Sequence, residues 1–179
     1  ACTNPYDTIG EAEWNALKFV GRDGLFLDET RAQEFFDLYH QQDFPLVSEQ
    51  ELQPVVHDDQ GPVRHFARVL RYVDAAAIRA ARFKVAVDCC NGVGALYSAR
   101  FLREELGCDV VTVFDQPTGL FEREPEPVPQ QLGRLGEAVV RHGCALGFAQ
   151  DPDGDRLAIV NERGEPIGED LTLALAVWQ

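Results

Sequence analysis

The sequence predicts an α/β fold: a mixed, mostly parallel sheet with helices on both faces, preceded by a partial hairpin and helix that are the remnant of another domain. From residue 83 onward, apolar runs of strand length alternate with segments of helical length, which is the pattern of βαβ units. The last two apolar runs, residues 144–149 and 157–161, are separated by a short loop, which favours an antiparallel pair. The chain before residue 63 lacks this alternation.

The N-terminal part predicts one hairpin and one helix. Residues 14–27 form two short apolar runs around Gly, Arg, Asp and Gly, so we expect a hairpin that turns at residues 21–24. Residues 28–41 begin with acidic side chains and continue with apolar ones, which predicts a helix. Residues 43–62 mix Pro, Asp, Gln and Gly, which is typical of a linker. A single helix is predicted over residues 63–82.

The remaining residues predict the sheet and its connections. We expect strands at residues 83–89, 109–114, 144–149 and 157–161, with helices at residues 95–106 and 130–142. The chain then divides into a remnant of a first domain, a linker, a metal-binding α/β domain and the start of a further helix, at residues 1–42, 43–62, 63–170 and 171–179. It contains no Met and stops within an apolar run, so we expect a piece of a longer protein.

Composition and charge exclude several functions. The 179-residue chain has a formal net charge of −14, which argues against nucleic acid or an anionic membrane as a partner. The sequence shows no signal-peptide pattern and no apolar run of membrane-spanning length, and its five cysteines lack the spacing of a metal site. We therefore expect a cytoplasmic protein whose cysteines are reduced core thiols.

The most informative segment is Asp-Pro-Asp-Gly-Asp-Arg at residues 151–156, between the last two predicted strands. At ~5 Å separation and an effective dielectric of about 20, each pair of like charges costs on the order of 3 kcal/mol. Three carboxylates in one tight loop therefore require a cation. Oxygen ligands without His or Cys favour Mg²⁺, Mn²⁺ or Ca²⁺ over zinc. A solvated turn without a metal is the simpler alternative.

Two other motifs compete with this interpretation. An EF-hand loop that starts at Asp151 matches the acidic positions, but it requires Gly where Arg156 stands. The glycine turn at residues 91–94, with Asp115 after the next strand, is similar to the first motif of an S-adenosylmethionine-dependent methyltransferase. The turn contains only two glycines, and no aromatic residue follows Asp151-Pro152, the pair that would be the catalytic dipeptide of such an enzyme. The methyltransferase is therefore the weaker alternative. A tight glycine turn without a ligand also fits.

Taken together, these segments resemble the α-D-phosphohexomutase family, which includes phosphoglucomutase, phosphomannomutase and phosphoglucosamine mutase. Residues 148–157, with residues 160–164 after them, are similar to the family's metal-binding loop and the following strand. Further matches occur in the family's order at residues 13–19 with Asp23-Gly24, at residues 87–94, and at Gly119-Leu-Phe121 with Pro125-Glu-Pro127. The resemblance covers nearly the whole chain, as the end of the family's first domain and its second domain.

The resemblance implies a reaction and a set of site residues. In this family a phosphoserine passes its phosphoryl group to a hexose 1- or 6-phosphate, the bisphosphate intermediate reorients, and the serine is rephosphorylated. Asp151, Asp153 and Asp155 would ligate Mg²⁺, with Mn²⁺ as an alternative. Arg156 would bind the phosphate as a catalytic residue, and Lys18 would assist proton transfer near the reacting hydroxyl. The expected partner is a phosphosugar substrate.

The family's serine loop is not recognisable in this sequence. Alignment on Asn4-Pro5 puts Cys2 at the serine position, whereas counting back from Lys18 puts Thr8 there, so the nucleophile stays unknown. The family's sugar-specificity loop and distal phosphate site are also missing, and nothing chooses among the hexose phosphates. We expect the chain alone to be inactive as a mutase. A non-catalytic cation-binding α/β module is the alternative.

Overall fold

The computed structural model describes residues 19–42, 44–118 and 120–178 of the chain. The first part of the predicted hairpin, residues 14–18, lies outside the described residues. In the described part, Val20 and Phe26 form an antiparallel bridge across the predicted turn. The hairpin-plus-helix segment is therefore present ahead of the sheet.

Three helices precede the sheet: α1 (Glu29–Gln41), α2 (Gln60–Val69) and α3 (Ala75–Ala81). The prediction of a single helix over residues 63–82 is wrong, because the chain turns between α2 and α3. The Asp74 side chain accepts a hydrogen bond from the Ala77 amide at 2.9 Å and so caps the start of α3. An aspartate that bonds the backbone in this way favours a new helix start over the continuation of the preceding helix.

The predicted linker is not entirely irregular. It contains a 3₁₀ turn at Glu49–Glu51, and the start of α2 lies three residues before the predicted helix start. Pro62 is the third residue of α2, within the first turn, where its missing N–H removes no helical hydrogen bond.

The sheet has four strands in the order β2-β1-β3-β4. They are β1 (Lys84–Asp88), β2 (Asp109–Val113), β3 (Leu146–Gln150) and β4 (Leu157–Val160). Strand β1 runs parallel to β2 and to β3, and β4 runs antiparallel to β3. The predicted mixed, mostly parallel sheet is therefore confirmed.

Helices link these strands at nearly the predicted positions. Helix α4 (Gly94–Arg100) follows β1 and continues as a π-helical turn (Phe101–Glu105). Helix α5 (Gly133–His142) precedes β3, after a 3₁₀ turn (Pro129–Gln131). Helix α6 (Glu169–Trp178) follows β4 and starts two residues before the predicted position, 171. No helix in the described ranges combines the length and apolar character needed to cross a membrane.

Successive side chains of β1 point to opposite faces of the sheet, and each face has its own apolar cluster. On one face Val85 and Val87 pack with Ala99 of α4, and partly buried Ile78 of α3 borders them. On the other face the cluster consists of Ala86, Leu132, Leu135, Val139, Cys144, Ala149 and Val160. Helices therefore cover both faces, as the sequence predicts.

Helix α5 approaches the turn after β4 at a glycine. A Cβ on Gly136 would lie 2.5 Å from the Gly164 carbonyl oxygen, whereas a Cβ on Gly133 would meet nothing within 4 Å. We expect Gly136→Ala to lower the free energy of unfolding by about 2 kcal/mol, because the two backbones must separate. Urea denaturation followed by circular dichroism measures this loss. Gly133→Ala is the matched control in the same helix and should cost less than about 0.5 kcal/mol. Equal losses in both variants would contradict the packing role.

Candidate metal centre

Parallel pairing brings the carboxyl ends of β1 and β3 to one edge of the sheet. Strand β1 ends at Asp88 and β3 ends at Gln150, with Asp88 opposite Ala149 in the register. The acidic loop (residues 151–156) leaves the sheet at this edge and returns as β4. Ligand sites of open α/β sheets commonly lie at the carboxyl edge of the strands.

The acidic loop brings three carboxylates together. Asp151, Asp153 and Asp155 each offer one oxygen, and these three atoms lie within 4.8 Å of one another. The Asp151 side chain is buried, Asp153 is half-buried and Asp155 is exposed, so the cluster extends from the core to the solvent. A set of carboxylate oxygens suits a hard divalent cation such as Mg²⁺. In the described ranges, no other three His, Cys, Asp or Glu side chains converge in this way.

Backbone hydrogen bonds fold the loop around Asp151. The Gly154 amide donates to the Asp151 carbonyl at 3.2 Å, and Gly154 has a φ of 78°, a conformation that glycine adopts without strain. The Arg156 amide donates to Oδ1 of Asp151 at 3.1 Å. The buried carboxylate is therefore held in place by the loop that it begins.

The electrostatics of the loop favour a cation. The pKa of Asp151 is raised from 3.8 to about 6, first by burial and also by the neighbouring Asp153 and Asp155 carboxylates, against the lowering effect of the Arg156 amide. A carboxyl group with this shift is costly to ionise in the folded chain. A divalent cation among the three carboxylates would remove that cost, so the residues present fit such an ion.

The glycine turn predicted from the sequence, at residues 91–94, packs against the backbone of the acidic loop. Cys90 and Asn91 both have a φ of 49°, so the chain bends sharply at the end of β1. A Cβ on Gly92 would lie 2.3 Å from the Pro152 carbonyl oxygen, and the Val93 amide donates to that oxygen at 2.8 Å. The backbone of the acidic loop occupies the space that the glycine leaves. This turn is therefore a packing contact for the acidic loop.

Arg156 lies at the end of the acidic loop, beside the cluster. Its guanidinium forms a salt bridge with Glu126, and its Nε lies 4.0 Å from Oδ1 of Asp155. Half of the Arg156 side chain is exposed. The salt bridge connects the acidic loop to the Pro/Glu-rich segment at residues 122–129, which contains Glu126. A role of Arg156 in binding phosphate stays a prediction.

The sequence analysis missed a buried ion pair next to the cluster. Arg123 pairs with Asp88 through two hydrogen bonds, from Nε to Oδ2 at 2.8 Å and from Nη2 to Oδ1 at 3.1 Å. Both residues are buried. The two partners are 35 residues apart in the chain. The only signal in the sequence is an aspartate at the end of a buried strand, which does not identify its partner.

Three predicted residues cannot be placed. Lys18, predicted to assist proton transfer, and Cys2 and Thr8, the two aligned nucleophile positions, all lie outside the described residues. Their roles stay predictions. The described structure therefore brings together the three aspartates and Arg156, at the carboxyl edge of the sheet.

Fold and site define a class of domain: an α/β/α unit that presents an aspartate-rich candidate cation loop at the carboxyl edge of its sheet. A family model described as "Phosphoglucomutase/phosphomannomutase, alpha/beta/alpha domain II" matches residues 63–164. The chain therefore belongs to the phosphoglucomutase/phosphomannomutase family, which confirms the resemblance predicted from the sequence. This membership makes the EF-hand and methyltransferase alternatives wrong.

Named relatives agree with this assignment. The chain is 33% identical to a Methanococcoides burtonii protein named "Probable phosphoglucosamine mutase", over 98% of this chain and 38% of that protein. It is 34% identical to a Thermococcus kodakarensis protein named "Phosphoglucomutase/phosphomannomutase", over 91% of this chain and 36% of that protein. The chain thus spans less than two-fifths of the length of these relatives.

A solved structure supports the fold. The crystal structure of a phosphoglucomutase/phosphomannomutase family protein from Burkholderia thailandensis superposes with a TM-score of 0.64. The match covers 84% of this chain and 31% of that protein, at 24% sequence identity.

The raised pKa of Asp151 predicts how the stability of the metal-free chain depends on pH. Because the folded pKa lies above the unfolded one, this residue costs no stability below about pH 4, and the cost grows as pH rises through 6. Asp151→Asn keeps the oxygen that accepts from the Arg156 amide and removes the charge. In EDTA at pH 8, we expect this variant to be more stable than the unsubstituted chain by on the order of 2 kcal/mol.

Urea denaturation at several pH values between 4.5 and 8 measures this difference, which should shrink toward pH 4.5. Asp155→Asn is the matched control in the same loop, because its side chain is exposed and its charge is already solvated. An advantage of Asp151→Asn that did not change with pH would show that burial of the charge is not its cause.

Proposed function

We propose that this chain is the metal-binding domain of a phosphohexomutase that interconverts hexose 1-phosphate and hexose 6-phosphate through a phosphoserine and a bisphosphate intermediate. The observation that carries the proposal is the convergence of three aspartate oxygens within 4.8 Å at the carboxyl edge of the sheet. Family membership and the names of the relatives support the reaction class. The chain alone, which spans less than two-fifths of these relatives, is proposed to lack mutase activity.

Asp151, Asp153 and Asp155 would hold Mg²⁺, or Mn²⁺ in its place. Such an ion would neutralise charge on a transferring phosphoryl group, which is the main requirement of phosphoryl transfer besides positioning. The exposed side of the cluster, at Asp155, would leave the ion accessible to a further oxygen from outside this domain. The buried side, at Asp151, would fix the ion relative to the sheet.

Arg156 is proposed to bind the phosphate that the ion contacts. Its guanidinium is half-exposed, lies at the end of the acidic loop and forms a salt bridge with Glu126 on a neighbouring surface segment. A planar guanidinium can donate two parallel hydrogen bonds to a phosphate, which a lysine cannot. Lys18 is proposed to assist proton transfer at the reacting hydroxyl, and the nucleophile is proposed to come from the first domain. The substrate would be a phosphosugar.

The metal site predicts stabilisation by Mg²⁺. At a concentration about ten times the dissociation constant, a ligand adds about 1.4 kcal/mol, which corresponds to a rise in Tm of roughly 3–6 °C for a chain of this size. We expect this rise for the full chain in millimolar Mg²⁺ or Mn²⁺ and none for Asp153→Asn. Thermal unfolding followed by circular dichroism measures it.

Asp109→Asn is the matched control for this experiment. Asp109 is an exposed aspartate at the start of β2, at the opposite edge of the sheet from the acidic loop. This variant should keep the full rise in Tm. If Mg²⁺ and Mn²⁺ left the Tm of the unsubstituted chain unchanged, the metal site would be wrong.

The role of Arg156 predicts a kinetic effect in the complete mutase that contains this domain. Arg156→Lys keeps the charge but loses the planar fork, so kcat should fall about ten- to a hundredfold, or roughly 1.4–2.7 kcal/mol. Steady-state turnover of hexose 1-phosphate at saturating Mg²⁺ measures it. Arg163→Lys, at an exposed arginine after β4, should leave kcat unchanged. A complete protein that binds the metal but shows no turnover would instead support the non-catalytic cation-binding module.

A further inference from the structure

Arg123 uses every N–H of its guanidinium. Its Nε and Nη2 donate to the two carboxylate oxygens of Asp88, at 2.8 and 3.1 Å. The second N–H of Nη2 donates to the Gln150 carbonyl at 2.6 Å, and Nη1 donates to the carbonyls of Glu124 and Pro125 at 2.8 and 2.9 Å. Arg123 is 8% exposed and Asp88 is fully buried. Such complete satisfaction is what a buried charge requires.

These five hydrogen bonds join three parts of the site. Asp88 is the last residue of β1, and Gln150 is the last residue of β3, directly before the first aspartate of the acidic loop. The carbonyls of Glu124 and Pro125 belong to the segment that continues into Glu126, the partner of Arg156. A single side chain therefore fixes both the start of the acidic loop and the segment that contacts its end.

The contribution of Arg123 is geometric. Asp88 neutralises its charge at hydrogen-bond distance, so the pair adds little net field at the three aspartates. A lysine could not replace the fork, because an ammonium group has three N–H donors on one atom and cannot reach acceptors arranged around a plane. Partners of this kind, one step removed from the ligands, commonly set metal affinity by holding the ligands in place.

We propose that Arg123 is a positioning residue for the metal centre. It holds the Gln150 carbonyl, and with it Asp151, at the distance from Asp153 and Asp155 that a cation needs, and it orients Arg156 through Glu126. This inference rests on the proposed metal site, and nothing in it requires contact between Arg123 and the ion or the substrate.

Mn²⁺ binding to the full chain, followed by electron paramagnetic resonance, tests the proposal without any assay of activity. Arg123→Lys should raise the Mn²⁺ dissociation constant about tenfold in protein that circular dichroism shows to be folded. Arg103→Lys is the matched control. Arg103 also donates to a backbone carbonyl, that of Val110 at 2.8 Å, but it lies on the π-helical turn away from the acidic loop. The control should keep the Mn²⁺ dissociation constant within about twofold of the unsubstituted chain, a margin well below the effect expected for a positioning residue.

The outcomes separate this inference from the site on which it rests. Unchanged Mn²⁺ affinity in folded Arg123→Lys would overturn the positioning role and leave the metal site intact. No Mn²⁺ binding by the unsubstituted chain would overturn the metal site, and the inference with it. If Arg123→Lys does not fold, Asp88→Asn decides, because it keeps the side-chain shape and one acceptor but loosens Arg123. A weaker affinity in folded Asp88→Asn supports the proposal, and an unchanged affinity overturns it.

Discussion

The mutual repulsion of three carboxylates is the constraint around which this domain is organised. The fold places Asp151, Asp153 and Asp155 closer together than their charges favour, and it buries the first of them. At an effective dielectric of about 20, two like charges at this range repel by on the order of 3 kcal/mol, and water weakens this repulsion at the exposed Asp155. The rest of the sheet edge must therefore hold a loop that would otherwise open. Packing and hydrogen bonding from two other segments do this.

The first of these segments is the bend after β1. A residue with a side chain at position 92 would collide with Pro152, so the absence of a Cβ lets the loop backbone lie directly on the bend. The second is the Arg123 pair, which fixes the Gln150 carbonyl. Both supports originate at the carboxyl end of β1, at Asp88 and at Gly92. The order of the strands, with β1 between β2 and β3, thus determines where the acidic loop can be held.

The sequence predicts the part of this architecture that depends on local patterns. Strand-length apolar runs and the Asp-Pro-Asp-Gly-Asp-Arg segment identify the sheet and the loop, because periodicity and charge density are visible within a few residues. The break between α2 and α3 was missed, since Asp74 as a helix cap and Asp74 as a helix surface residue look alike in the sequence. The Asp88–Arg123 pair was missed for a different reason. Its partners are brought together only by the tertiary fold, across 35 residues of chain.

The two ion pairs beside the acidic loop differ in burial, and this difference suits them to different roles. Asp88 and Arg123 are buried, and removing either partner would leave an uncompensated charge in the core, which is costly. Such a pair maintains one geometry. Glu126 and Arg156 are about half-exposed, and an exposed pair contributes only about 0–1 kcal/mol. Under the proposed function, Arg156 would exchange Glu126 for a phosphate, while Arg123 keeps the segment that carries Glu126 in place. A rigid pair inside and an exchangeable pair outside are what a site needs if it is to hold its cation fixed and still bind and release a phosphate.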